Sequence, residues 1–198
     1  MQKKYTPLSC VSLKQEATYV KPPQHARAVT TLDSPALEVM TDLAVVDAVT
    51  ITPFVSIESA NAKMIRHGVR LLLVVDGNDS VIGLITASDI LGERPVKYMQ
   101  SVSCTYSDIL VKDIMTPLES IEILYLVDVE RASVGDVLET LARAGRQHAL
   151  IADIDEGSLR HRIRGIFSTT HISRMMNQRI EVPEVATSFA EVEMALHH

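Results

Sequence analysis

Apolar positions along the chain fall into one-sided stripes and short unbroken runs. Ile57, Ala60, Met64 and Ile65 make one helical stripe. Ser56 stands where an N-cap belongs and Gly68 where a helix stops, with Arg66 and His67 in the last turn. Val134, Val137, Leu138, Leu141 and Ala142 repeat the stripe, with Ser133 and Asp136 spaced as a capping box and Gly145 as the stop. Leu71–Val75 and residues 148–152 are short apolar runs that predict buried strands. Asp76-Gly77-Asn78-Asp79 predicts a tight turn, residues 81–85 a returning strand, and residues 86–91 the opening of a second helix. A further strand is predicted before each main helix, at residues 48–52 and 124–129.

These elements recur. Gly68 and Asp76 have counterparts in Gly145 and Asp153, each 77 positions on. Val81-Ile82-Gly83-Leu84-Ile85-Thr86 matches Ile163-Arg164-Gly165-Ile166-Phe167-Ser168 at a spacing of 82, so the second copy carries five extra residues in its turn. The order in each copy is strand, helix, strand, strand, helix. A three-stranded sheet with helices on one face leaves its other face uncovered, and packing two such units together buries it. The expected fold is therefore α+β, with two pseudo-symmetric units in one globule.

Around the units, residues 1–34 are rich in Pro and polar residues and are expected to be irregular. The first unit and its linker are expected at 35–105 and the second unit at 106–178. Residues 95–103 extend or follow the helix, and Ser107 or Asp108 caps a short turn. Asp113 caps or solvates the turn between copies. Residues 179–198 form a tail with a candidate short helix over 188–196.

Composition narrows the function. Aromatics are 4% of the chain and Trp is absent, so the core has to be aliphatic. The formal charge of −6 argues against non-specific nucleic-acid binding. No apolar run is long enough to span a bilayer, and the N-terminal residues lack the apolar stretch of a signal peptide. A cytoplasmic protein is expected, with Cys10 and Cys104 as unpaired thiols. His67, His148, His161 and His171 show no metal-ligand spacing, and no nucleophile elbow, Walker loop or dinucleotide fingerprint is visible.

Each copy resembles a cystathionine-beta-synthase (CBS) domain, and the pair resembles a Bateman module. The residues that carry the resemblance in copy one are Val39-Met40-Thr41, Ser59-Ala60, Gly68-Val69, Val74-Val75-Asp76, Val81–Thr86 and Ser88-Asp89-Ile90-Leu91. In copy two they are Val111-Lys112-Asp113-Ile114-Met115-Thr116-Pro117, Gly145, Ile151, Asp153 and Gly165-Ile166-Phe167-Ser168. The resemblance spans residues 36–176. It implies a cytoplasmic regulatory module that binds an adenosine-type ligand between the copies and pairs as a homodimer. Two features depart from the family pattern. Leu73 and Leu150 stand where the family usually has Pro, and His171 stands in copy two where copy one has Asp89.

The segment Gly83–Asp89 is the leading candidate site. A hydroxyl at a strand end followed by a helix start offers free backbone N–H groups to phosphate. Asp89 can accept hydrogen bonds from ribose hydroxyls, with Thr86 and Ser88 on the phosphate side. The same spacing equally suits Thr86 as N-cap and Asp89 as its capping-box partner. Ile51, Pro53, Leu72 and Ile85 are the candidate apolar pocket for the base, and Arg70 a candidate phosphate contact. Ser168, His171, Arg146 and His148 are the weaker candidates from copy two. Arg160, Arg162 and Arg164 alternate, and a solvated hairpin face is their simpler role.

The functional expectation is a non-enzymatic sensor of AMP, ADP, ATP or another adenosine derivative, needing no cofactor or metal. It would signal to an unidentified regulated protein, with no membrane partner. The competing expectation is a nucleotide-free dimerisation or interaction scaffold.

Overall fold

In a computed structural model of the chain, residues 30–155 and 160–180 are described. In chain order the regular elements are β1 (Thr41–Asp42), β2 (Thr50–Ile51), α1 (Ile57–His67), β3 (Leu71–Val75), β4 (Val81–Thr86), α2 (Ala87–Leu91) and α3 (Arg94–Val102). They continue with α4 (Val111–Ile114), β5 (Thr116–Pro117), β6 (Ile123–Tyr125), α5 (Leu126–Val129), α6 (Val134–Arg143), β7 (His148–Ile154), β8 (His161–Ser168) and α7 (Thr169–Met176). The fold is mixed α/β with two sheets of four strands, ordered β2-β3-β4-β5 and β1-β8-β7-β6. The proposed C-terminal helix, Cys10 and residues 1–29 lie outside the described residues.

Local chemistry explains the main helices. The Ser56 side chain accepts the Ser59 N–H at the start of α1, and Gly68 ends the helix at φ 66°, a left-handed conformation that suits glycine. Ser133 and Asp136 cap each other at the start of α6, and Gly145 follows its end at φ 58°. Backbone and hydroxyl of Ser133 hold the Asp136 carboxyl below its ordinary pKa. Ile57, Ala60 and Met64 of α1 are buried, but Ile65 is 74% exposed. It lies eight residues beyond Ile57, about 80° round the helix axis, and so falls off the stripe.

One further expectation is corrected. Residues 124–129 are not one strand: β6 ends at Tyr125, and α5 closes with the Glu130 N–H on the Leu126 carbonyl at 2.9 Å. Leu126 and Val129 turn inward while Val127 and Asp128 face out, a spacing of three that a helical turn satisfies and a strand does not. In the short turn before α4, Asp108 is the residue that caps, its carboxylate accepting the N–H and the hydroxyl of Thr105.

The larger correction concerns unit boundaries. The segment that opens each copy belongs structurally to the other copy. Residues 35–42 pair and pack with the second unit: β1 runs antiparallel to β8, and Ala36 and Val39 sit in the core of α6 and α7. Reciprocally, β5 runs antiparallel to β4, while Ile109, Val111 and Ile114 sit in the core of α1 and α2. The backbone bonds are matched pair by pair. Ala36 N donates to Ala132 O and Val134 N to Ser34 O; Val111 N donates to Val55 O and Ile57 N to Ile109 O. A boundary drawn from the repeat places these segments with the wrong sheet, because the repeat records sequence order and not strand pairing.

Glycine makes the exchange possible. A Cβ on Gly83 would come to 2.7 Å from the Thr116 carbonyl oxygen and 3.0 Å from Met115 Sδ. A Cβ on Gly165 would meet Met40 Sδ at 2.5 Å and the Thr41 carbonyl oxygen at 3.1 Å. Each glycine thus admits the other copy's Met-Thr strand. Between the two sheets lies an aliphatic layer of Leu71, Leu73 and Leu150, flanked by Leu84, Ile121, Ile123, Ile163 and Ile166.

Gly83→Ala is therefore expected to destabilise the protein by about 1–3 kcal/mol, the usual cost of overpacking. Gly165→Ala should cost less, because its closest neighbour is a flexible Met side chain. Urea unfolding of the two variants checks the order.

Candidate functional site

A cleft of about 980 Å³ opens between the two units. One wall is the corner where β4 runs into α2 and on to α3, and it presents Thr86, Ser88, Asp89, Arg94 and Lys97. The facing wall is the turn from α6 into β7, which presents Gly145, Arg146, Gln147 and His148. Thr116 of β5 and Ser120–Glu122 close one side, and Leu71, Leu84, Ile121 and Leu150 provide apolar surface.

The β4–α2 corner is held by a capping box. The Asp89 N–H donates to Thr86 Oγ1 at 3.2 Å, and Asp89 Oδ2 accepts from Thr86 N at 2.7 Å and Thr86 Oγ1 at 2.8 Å. The other oxygen, Oδ1, meets Arg94 Nη1 at 3.1 Å. That same nitrogen donates to the Ile114 carbonyl at 2.8 Å and to Thr116 Oγ1 at 3.2 Å. The capping reading of Asp89 is thus realised, and one face of its carboxylate still borders the cleft.

Charge in the cleft is paired. Arg94 meets Asp89, Lys97 meets Glu93 at 2.7 Å, and Arg146 meets Glu122 at 2.8 Å. Three cations thus face three carboxylates among the lining residues. His148 is partly buried in the wall. Desolvation, and secondly the positive charge of Arg70, pushes its pKa down to about 4, so it is neutral near pH 7.

The structure distributes the candidate residues unevenly. Thr86, Ser88, Asp89, Arg146 and His148 come together in the cleft. Ile51, Leu72 and Ile85 do not: they are buried under α1 and α2 in the core of the first unit. Pro53 is buried as well, its carbonyl accepting the Lys112 N–H at 3.0 Å, and it does not line the cleft. Leu72 and Ile85 lie on the face of β3 and β4 that packs against the helices. Leu71 and Leu84, one position from Leu72 and Ile85, are the residues that reach the cleft. Arg70 is exposed and outside the lining, although its charge reaches His148. Ser168 and His171 are also outside it; Ser168 precedes α7 without a side-chain cap. Arg162 pairs with Asp153 at 3.3 Å, and Arg164 pairs with Asp42 of β1, so the arginine face is spent on hairpin and inter-copy ion pairs.

Sequence reasoning missed Arg94, Lys97 and Glu122. Arg94 and Lys97 lie on α3, in a segment that reads as a linker, and the packing of that helix against α2 and α4 holds them at the cleft. No group of three or more His, Cys, Asp or Glu among the described residues is placed to hold a metal ion. Among them, no helix is long and apolar enough to cross a membrane.

Residues 36–95 match the family model of the CBS domain. The chain thus carries a CBS-domain segment. Its matched segment includes β1, which pairs with the second sheet, so the family unit in sequence and the sheet in space differ by one strand. No curated protein matches the chain. Among solved structures, an uncharacterized conserved protein from Pyrococcus horikoshii is similar at 24% identity and a TM-score of 0.54, over 77% of this chain and 98% of that one. The CBS domain protein NE2398 is similar at 18% identity and a TM-score of 0.50, over 71% and 96% of the two chains. CBSX2, solved in complex with AMP, is similar at 20% identity and a TM-score of 0.49, over 71% and 94%. The first two likenesses show a shared fold.

The His148 environment sets a pH dependence. A histidine whose folded pKa is lowered binds its proton more readily in the unfolded chain. Its contribution to stability is therefore present above pH 6.5 and is lost as pH falls towards 4. The loss should be on the order of 1–3 kcal/mol. Denaturant midpoints between pH 7 and pH 4.5 are expected to fall in the wild type and to flatten in His148→Gln.

Proposed function

We propose that the cleft binds an adenosine-type nucleotide and that the protein is a regulatory module, not an enzyme. The observation that carries this is that the cleft is walled by both units. Thr86, Ser88 and Asp89 come from one, and Arg146 and His148 from the other. A ligand seated there touches both, so its binding energy can favour one arrangement of the units over another. The volume suits a nucleotide-sized ligand. Leu71, Leu84 and Leu150 offer the base an apolar surface, and Asp89 Oδ1 offers the ribose an acceptor. The hydroxyls of Thr86 and Ser88 serve the phosphate side.

A second reading, a nucleotide-free scaffold, is favoured by the engagement of Asp89 with Thr86 and Arg94, which occupies both of its oxygens. Thermal shift with adenosine, AMP, ADP and ATP separates the two, because a ligand that binds only the folded state raises the melting temperature. The sensor reading expects a shift and one nucleotide per chain by calorimetry. It also expects Asp89→Asn to weaken binding by about 1.5–3 kcal/mol and to erase the preference for ribose over deoxyribose. No shift with any of the four ligands leaves the scaffold reading.

The same reading holds the chain to be a homodimer. Ile65 of α1 and Leu91 of α2 are 74% and 69% exposed and are apolar positions that pairing would cover. Light scattering is expected to report twice the chain mass at micromolar concentration; a monomer there opposes it.

A further inference from the structure

Both oxygens of Asp89 are in use, and in different ways. Oδ2 holds two donors, the backbone and hydroxyl of Thr86. Those bonds close the cap of α2 and are part of the fold. Oδ1 is held only by Arg94, at 3.1 Å, and the Asp89 side chain is 12% exposed against 48% for Arg94. A hydroxyl pair entering the cleft therefore meets Asp89 at Oδ1 and competes there with the guanidinium.

Arg94 is built to survive that competition in place. The nitrogen that touches Asp89 also donates to the Ile114 carbonyl at 2.8 Å and to Thr116 Oγ1 at 3.2 Å, one on α4 and the other on β5. Loss of the carboxylate leaves the side chain anchored at the cleft. Its Nε and Nη2 make no hydrogen bond to the described residues. Meanwhile Lys97 and Arg146 are paired with Glu93 and Glu122, so the ligand-free cleft holds no cation without a carboxylate partner among its lining residues.

We infer that Arg94 is a latch and a specificity-determining residue: ribose binding at Asp89 releases it, and it then pairs with the phosphate of the same ligand. This rests on the reading of the cleft as a nucleotide site and adds to it which ligand the site selects. A nucleoside pays to displace Arg94 and gains nothing from the freed charge. A nucleoside monophosphate recovers that cost by pairing with it. The neutral balance of the cleft otherwise disfavours added negative charge, because each further phosphate has to break another ion pair.

The test is the affinity of adenosine and of AMP for the wild type, Arg94→Ala and Arg94→Lys, measured by calorimetry with apo melting alongside. In Arg94→Ala the competitor is gone, so adenosine should bind about two- to fivefold tighter, the range of one exposed ion pair. AMP should bind tenfold or more weaker, as for a lost charge-assisted hydrogen bond. Arg94→Lys should keep part of the AMP preference, since it retains the charge without the planar fork. A purely structural role for Arg94 predicts that both ligands weaken together with the melting temperature. A change of the same sign for the two ligands in Arg94→Ala overturns the latch while leaving the nucleotide site standing. Failure of the wild type to bind either ligand overturns both.

Discussion

Every other feature of this molecule depends on the pairing of two sheet edges. β4 and β8 each end a three-stranded run whose next partner is not in the same copy. An unpaired edge leaves a row of backbone donors and acceptors without partners. Here each edge is completed by the opening strand of the other copy, β5 on β4 and β1 on β8. Gly83 and Gly165 permit the approach, because a side chain at 83 would meet the Thr116 backbone and one at 165 chiefly the Met40 side chain. Neither unit can then keep its complete core if the other is removed, since Ile109, Val111 and Ile114 fill one core while Ala36 and Val39 fill the other.

That constraint positions the cleft. With the opening strands exchanged, the two sheets face each other across Leu71, Leu73 and Leu150. Leucine at 73 and 150 stands where the family usually has proline, and both residues are almost fully buried in this layer. At the edge of the layer the aliphatic surface gives way to the polar corner of α2 and the turn after α6, and the cleft opens there.

The cleft is also where local and tertiary demands meet on single side chains. Asp89 caps its own helix, as the spacing from Thr86 requires, and at the same time pairs with an arginine brought in by α3. Thr116 both pairs in β5 and accepts from Arg94. His148 opens a strand and is kept neutral by the wall it belongs to. Arg94 thereby ties α2, α3, α4 and β5 together at the edge of the cleft.

The sequence by itself determined the elements whose causes are local. Ser56, Ser133, Gly68 and Gly145 mark helix ends because capping bonds and left-handed backbone act within a few residues. The repeat at 77 positions, the turn at Asp76 and the resemblance of the two copies to a CBS pair were legible for the same reason: each is written in residue type and spacing. What the tertiary structure decided is which surface each element meets. In an all-apolar run such as Leu71–Val75 both faces are buried, so alternation cannot tell that Leu72 faces the helices while Leu71 faces the cleft. The exchange of opening strands and the bonds from Arg94 to Ile114 and Thr116 join residues with no local relation. Strand pairing and side-chain contact depend on distances in space, and periodicity along the chain carries no record of them.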